Sequence, residues 1–277
     1  QIDVNASLTE GLVGWWKFDE TSGNIAYDSS GNGNDGNLTN GPTWTEGKIG
    51  GALSFDGIDD HIVFGSATGL NVQHISIAAF LYSEDSINKG LIFEKKTQYL
   101  LFFESHGVLR WRTFAPSFHD LTVPVNDTSK RMPWVHLSAT YDGASKKVFI
   151  DGILADSGST SGTFNFGVSN ESSIGKMMAN DNYFFEQIID DLRIYDRALS
   201  AFEVKALYEL GELPVQVRGS GTTAVVSGEV PDGSISLSKL SSEVRADLNR
   251  TITKSMLGQD VLADINRTIT KSMLSQE

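Results

Sequence analysis

The sequence predicts an all-β fold, a sandwich or barrel of short antiparallel strands, with a small C-terminal repeat region of short extended and helical pieces. Three observations carry this. Apolar residues alternate with a period of two through many short segments. Clusters of Gly, Asn, Ser and Asp, such as "DSSGNGNDG", interrupt those segments at short intervals. No alternation of strand and helix patterns runs along the chain, which argues against a parallel doubly wound sheet.

"HISIAAFLY" sets Ile75, Ile77, Ala79 and Leu81 on one face of a strand. "YLLFFES" and "VLRWRTF" flank His106-Gly107 and read as a hairpin. "WVHLSATYDGASKKVFIDG" reads as another, with Asp142-Gly143 in its turn and Asp151-Gly152 closing the next strand. The same alternation assigns Trp15, Phe18, Phe55, Trp134, Ile150 and Ile194 to an inner face. One helix follows in "LSAFEVKALYELGE". Ser200 is its N-cap and Glu203 completes a capping box. Phe202, Ala206, Leu207 and Leu210 form its apolar stripe, and Gly211 ends it.

Pro214 and "RGSGTTAVVSGEVPDGS" then read as a linker. The predicted organisation is an N-terminal arm (1–10), a β domain (11–213), a linker (214–233) and repeats (234–277). Ser234, Thr251 and Thr268 begin equivalent units 17 residues apart. Ile235 and Ile252 correspond, as do Leu240 and Leu257, Val244 and Val261, and Leu248 and Ile265. A unit this short cannot bury those side chains within one chain, because isolated short helices are marginal in water. These eight residues are therefore expected to drive self-association, with a trimer as the natural closed form. The repeated text is similar to that of trimeric stalks in tail fibres and adhesins.

The chain carries 35 acidic and 22 basic residues, a net charge of -13. Such a surface repels phosphate backbones, so nucleic acid is not an expected partner. With no cysteine there is no disulfide, thiolate metal site or cysteine nucleophile. No apolar run approaches a membrane span. The chain opens on Gln1 rather than Met, which predicts a removed leader and an extracellular or cell-surface location. Six N-x-S/T sequons occur, at Asn5, Asn37, Asn126, Asn170, Asn249 and Asn266.

Four further stretches carry a family likeness: "GLVGWWKFDETSGNIAYDSSGNGNDGNL", "GKIGGALSFDGIDDHIVF", "WVHLSATYDG…VFIDG" and "IIDDLRIYDRALSAFEVKALY". Together they resemble, in order and over about residues 10–210, the laminin G-like branch of the concanavalin A-like lectin/glucanase superfamily found in secreted bacterial proteins. The resemblance implies a jelly-roll sandwich of two antiparallel sheets. It also implies a structural Ca²⁺ where the loop after the first strand meets the last strand, with Asp19 and Asp190 at the matching positions. Calcium takes six to eight oxygens, so carbonyls of the Gly/Asn-rich loops would complete the shell. Asp56, Asp59 and Asp60 read instead as turn residues.

The resemblance also brings an expectation: glucanases of this fold carry paired glutamates in E-x-D-x-E or E-x-D-x-x-E spacing, one to protonate the leaving oxygen and one to attack or activate water. That motif is absent; "FFEQIIDD" has the wrong order and spacing. There is no G-x-S-x-G, H-E-x-x-H or P-loop. The histidines stand singly, and His136, inside a strand pattern, reads as structural. Two segments, "RWRTFAPSFHD" and "MMANDNYFFEQ", place aromatics outside the strand pattern. They give candidate ligand contacts at Arg110, Arg112, Phe114, Phe118 and Tyr183. The aromatic faces would stack on sugar rings while guanidinium groups donate to hydroxyls. Alternation puts the arginines on one face and Trp111 on the other. The expected function is a secreted, non-catalytic binding module for a glycan or an extracellular surface protein, related to carbohydrate binding or adhesion and presented on an oligomerising tail. The alternatives are a subunit of an extracellular fibre and, disfavoured, a glucanase-type hydrolase.

Overall fold

The computed structural model describes residues 4–65, 67–83, 89–105, 107–114, 118–125, 134–164, 171–178 and 183–212. The chain divides into two compact units, Gln1–Leu213 and Pro214–Glu277. The linker and the repeats, with Ile235, Leu240, Val244, Leu248, Ile252, Leu257, Val261 and Ile265, lie outside the described residues.

The first unit begins with a short helix, α1 (Val4–Thr9), where the sequence suggested an arm. Sixteen strands follow among the described residues. In chain order they are β1 (Leu12–Trp16), β2 (Ile25–Ala26), β3 (Gly36–Thr39), β4 (Thr43–Glu46), β5 (Gly51–Ser54), β6 (His61–Phe64), β7 (Ile75–Tyr82) and β8 (Gly90–Lys95). Then come β9 (Tyr99–Ser105), β10 (Val108–Phe114), β11 (Phe118–Pro124), β12 (Trp134–Tyr141), β13 (Ser145–Ile150), β14 (Ile153–Ser159), β15 (Ser172–Ile174) and β16 (Ile188–Tyr195). A second helix, α2 (Ala201–Glu212), closes the unit.

The strands form two antiparallel eight-stranded sheets. The first runs β14-β13-β12-β7-β16-β5-β4, with β1 also paired to β16; the second runs β11-β10-β9-β8-β15-β6-β3-β2. This is the expected jelly-roll sandwich. Its core takes alternate residues from both sheets. Ile75, Ile77, Ala79 and Leu81 of β7 meet Leu101, Phe103, Leu109 and Trp111 of β9 and β10 in one cluster. Fully burying an aliphatic or aromatic side chain contributes roughly 1.5–3 kcal/mol, so a layer of this extent dominates the stability. Among the described residues no helix is long and apolar enough to cross a membrane.

Several inner-face assignments change. Phe18, Phe55 and Ile194 are buried and Ile150, half-buried, packs against the same inner core, but Trp134 is half-buried beside Tyr82 instead. Trp16, not Trp15, is the core tryptophan of β1. A register shift between Leu12 and Gly14 moves the alternation by one position. Trp15 therefore faces outward. Its ring lies 4.3 Å from the Arg193 guanidinium and its indole N–H donates to Asp191 Oδ1 at 2.5 Å.

Helix α2 covers the outer face of the first sheet. Val204 and Leu207 pack with Leu8 of α1, Ala78, Phe149, Tyr195 and Leu199. The capping box is present: Ser200 N donates to Glu203 Oε2 at 2.8 Å and Glu203 N to Ser200 Oγ at 3.3 Å. The apolar stripe is rotated from the expected one, because Phe202 is 54% exposed while Val204 faces inward. Gly211 does not end the helix. It lies inside it, pressed against Phe80, whose Cζ would stand 2.4 Å from an added Cβ. A glycine there lets the helix lie close to the sheet.

Candidate functional site

The outer face of the second sheet carries the expected ligand residues. On β10, Leu109, Trp111 and Thr113 point into the sandwich and Arg110, Arg112 and Phe114 alternate outward. Trp111 is fully buried, its indole N–H donating to Thr140 O at 3.1 Å, so it offers nothing to a ligand. Hairpin register sets Asp120 of β11 opposite Arg112 and Phe102 of β9 opposite Arg110. Arg112 Nε donates to Asp120 Oδ1 and Nη2 to Oδ2, both at 2.7 Å. Arg110 Nη1 donates to Asp120 Oδ2 at 2.7 Å, and its Nε to Glu104 Oε2 at 2.7 Å. The two arginines thus share one aspartate in a ladder that Glu104 extends.

Partial burial pulls the Asp120 carboxyl upward, but the two guanidinium groups outweigh it and hold it below the usual carboxylate range. Asp120 likewise raises Arg112 above its ordinary value. The Arg112 guanidinium also lies 5.3 Å from the Phe102 ring.

Beside this ladder is an apolar cluster of Leu91, Leu100, Phe102 and Met177, against which Phe114 and Tyr183 pack half-buried. Tyr183 meets Phe102 edge-on, with ring centroids 5.7 Å apart and planes at 82°. Tyr183 and Met177 lie far along the chain from the strands they pack on, and Met178 N donates to Glu94 Oε2 at 2.8 Å. Four of the five expected ligand residues, Arg110, Arg112, Phe114 and Tyr183, therefore share one surface. Phe118 is placed by its backbone, opposite Phe114 in the β10–β11 register. Asp120, Glu104 and Phe102 were missed in the sequence. The signal for Asp120 lies in the β10–β11 register, since pairing Phe114 with Phe118 sets residue 120 against residue 112.

A second polar feature sits where the loop after β1 meets β16. Asp190 is fully buried, and its Oδ2 accepts from Ile49 N at 2.8 Å while Oδ1 has no hydrogen-bond partner. Burial first, then the neighbouring Asp191, pushes its carboxyl up to about 8; Asp19 adds to the rise. Asp19 Oδ1 accepts from Gly51 N at 2.6 Å. The loop between them approaches very closely: a Cβ on Gly50 would stand 2.2 Å from Asp19 Oδ1, and one on Gly47 2.7 Å from Asp190 Oδ2. Two carboxylates converging on a glycine-lined loop, one with an orphaned buried oxygen, fit a hard divalent cation. Asp28 plays no part, since it accepts from Trp15 N, Ser30 N and Asn34 N. Asp56, Asp59 and Asp60 bring carboxylate oxygens within 4.8 Å of one another. Asp56 accepts from Ile58 N at 2.8 Å and Asp60 from Asp56 N at 3.0 Å, which is turn geometry.

The fold and the site define a two-sheet jelly-roll module whose second sheet presents a charged and aromatic outer face. The model of the concanavalin A-like lectin/glucanases superfamily (Laminin_G_3) matches residues 56–205, more than half of the 277-residue chain, and the chain belongs to this family. Among solved structures it is similar to the binding domain of Paraclostridial Mosquitocidal Protein 1, at 18% identity and a TM-score of 0.62, covering 76% of this chain. The match spans only 55% of that neighbour, a little over half its length. Domain 4 of AbnA, a GH43 extracellular arabinanase from Geobacillus stearothermophilus solved in complex with arabinotriose, matches at 22% identity and a TM-score of 0.55, covering 71% of this chain and 98% of that one. The botulinum neurotoxin serotype G binding domain matches at 15% identity and a TM-score of 0.60, covering 75% of this chain and 53% of that one. No curated protein matches the chain.

Proposed function

We propose that the sandwich is a non-catalytic module, acting outside the cell or at its surface, that binds carbohydrate on the outer face of β9, β10 and β11. The observation that carries this is the Arg110–Asp120–Arg112 ladder lying beside Phe102, Phe114 and Tyr183. Sugar recognition needs fixed donors and acceptors next to an aromatic surface, and this face has both. A domain of the same fold held arabinotriose in its solved structure, which supports the reading. The test is a glycan array probed with the full chain. Arg112→Ala should abolish every positive signal while leaving the far-ultraviolet circular dichroism unchanged; signals that persist in the variant would remove the site from this face.

Asp19 and Asp190, with carbonyls of the loop at 47–51, would hold Ca²⁺, which would neutralise the buried Asp190 carboxylate. We further propose that the repeats self-associate through Ile235, Leu240, Val244, Leu248, Ile252, Leu257, Val261 and Ile265. The 17-residue recurrence of apolar positions supports this. Light scattering of the full chain should give an oligomer, and Leu240→Asp with Leu257→Asp should reduce it to a monomer. A monomeric full chain at micromolar concentration would end the stalk idea.

A further inference from the structure

We propose that this face selects neutral sugars with adjacent hydroxyls and rejects acidic glycans such as uronates and sulfated chains. The inference rests on the carbohydrate reading above and deepens it. An arginine pair on a binding face would ordinarily suggest an anionic ligand, because guanidinium forks match carboxylate and sulfate geometry. Here that capacity is already engaged. Arg112 is bidentate on Asp120, and Arg110 is divided between Asp120 and Glu104. To engage the guanidinium forks, an acidic sugar would have to displace Asp120. The displaced carboxylate, with a side chain only 22% exposed, would then face the incoming like charge.

The surrounding charge points the same way. Arg110 and Arg112 balance Glu104 and Asp120. Lys89 stands over Tyr183 at 5.8 Å, and the buried Glu94 lies on the same face and accepts from Met178 N. Among the described side chains just named the signs cancel, the buried Lys146 ammonium near Asp120 is held by Trp111 O and His119 O, and the chain as a whole carries -13. A neutral diol needs none of these pairs broken. Its hydroxyls donate to the carboxylate oxygens and accept from the guanidinium edges while the ladder stays intact. The C–H face of its ring can lie on Tyr183 and Phe114. The ladder thus acts in specificity twice, presenting fixed donors and acceptors to hydroxyls and withholding its cations from anions.

Affinity gel electrophoresis of the full chain separates the outcomes. The neutral gels contain linear arabinan, galactan or mannan; the acidic gels contain polygalacturonate or heparin. Retardation is expected in at least one neutral gel, nearly independent of salt, and in neither acidic gel. Asp120→Asn removes the carboxylate that the two arginines share, while Arg110 keeps Glu104. It should weaken neutral-gel retardation about tenfold, a loss of about 1.4 kcal/mol, and create salt-sensitive retardation by heparin. Glu104→Gln, which removes one of the two acidic partners of Arg110 and leaves Arg112 on Asp120, should shift both gels in the same direction by less. Heparin or polygalacturonate retardation of the unaltered chain that Arg112→Ala removes would overturn the inference and leave the carbohydrate reading standing. An Asp120→Asn chain that is folded by circular dichroism and gains no heparin retardation would also overturn it. No retardation in any gel would sink the carbohydrate reading itself, and the inference with it.

Discussion

The two outer faces of the sandwich are built in opposite ways. On the first sheet, Ala78, Phe149 and Tyr195 lie under helices α1 and α2 and are buried. On the second, Arg110, Arg112 and Asp120 stand toward solvent, joined to each other. The first face gains stability by excluding water, while the second spends polar groups on a fixed and accessible arrangement. Under the proposed function, a module of this kind separates folding from recognition by assigning each to one sheet.

The sharpest way to break that division is on the covered face. Leu207→Ala should cost about 2–5 kcal/mol by opening a cavity between α2 and the sheet. Thermal denaturation would show it, and glycan binding measured below the new melting point should be unchanged. Parallel loss of binding in the folded state would mean that the two faces are coupled.

Next in size is the carboxylate pair beside the covered face. Chelation should lower the melting temperature, with calcium at a hundredfold excess over Kd contributing about 2.7 kcal/mol. Asp190→Ala should erase the difference between chelated and calcium-loaded protein. An intact chain whose melting point ignores chelator would remove calcium from this site.

His136 gives a pH-dependent effect that is small near pH 6.5 and grows as pH falls. It is buried near Phe80 and Tyr208, its Nδ1 has no hydrogen-bond partner, and burial, with Arg193 adding to it, pulls its pKa from 6.5 down to about 3. The unfolded chain therefore takes a proton before the folded one does. The stability is fully present above pH 6.5 and declines as pH falls toward 3, by up to about 1.4 kcal/mol per pH unit. His136→Leu should flatten the melting temperature between pH 6.5 and the onset of carboxylate titration. An unchanged slope would show that His136 is charged in the folded protein or contributes nothing there.

The smallest expected stability effect is on the open face. Arg112→Ala should cost under about 1 kcal/mol, as partly exposed ion pairs do, although binding is lost. A large drop in melting temperature would make the ladder structural and blur the distinction between the faces.

Hairpins were legible because Asp142-Gly143 and the Gly after His106 mark the turns, and from there alternation runs outward. Gly107 and Gly143 indeed have positive φ. The burial of Trp16 rather than Trp15 was not legible, since two adjacent tryptophans satisfy either phase and an irregularity at Leu12/Gly14 decides between them. The helix face failed for a similar reason. Phe202 and Val204 each begin an acceptable stripe, and the docking of Gly211 on Phe80 selects the second. In the candidate site, Arg110, Arg112, Phe114 and Tyr183 could be picked out one by one. Their linkage through Asp120 depends on cross-strand register, and the place of Tyr183 beside Phe102 on a long-range contact, neither of which local periodicity reports.

The irregularity in β16 has a consequence of another kind. Ile189, Leu192 and Ile194 point inward, Asp190, Arg193 and Tyr195 outward, and Asp191 takes φ +50° where the register to β7 shifts. Strand alternation works like a reading frame with a step of two, and Asp191 is a single insertion that resets it. Remove that one residue and "IIDDLRIY" becomes "IIDLRIY", which alternates without a break. The extra position turns one acidic side chain toward the loop at 47–51 and another toward the indole N–H of Trp15, both from the same stretch of strand. A deletion of Asp191 would thus leave the inward pattern of β16 readable and its core contacts available. It would also remove the partner of the Trp15 indole and redirect the backbone that carries Asp190. The doubled aspartate is the mark, in the sequence itself, of a place where one strand serves two neighbours.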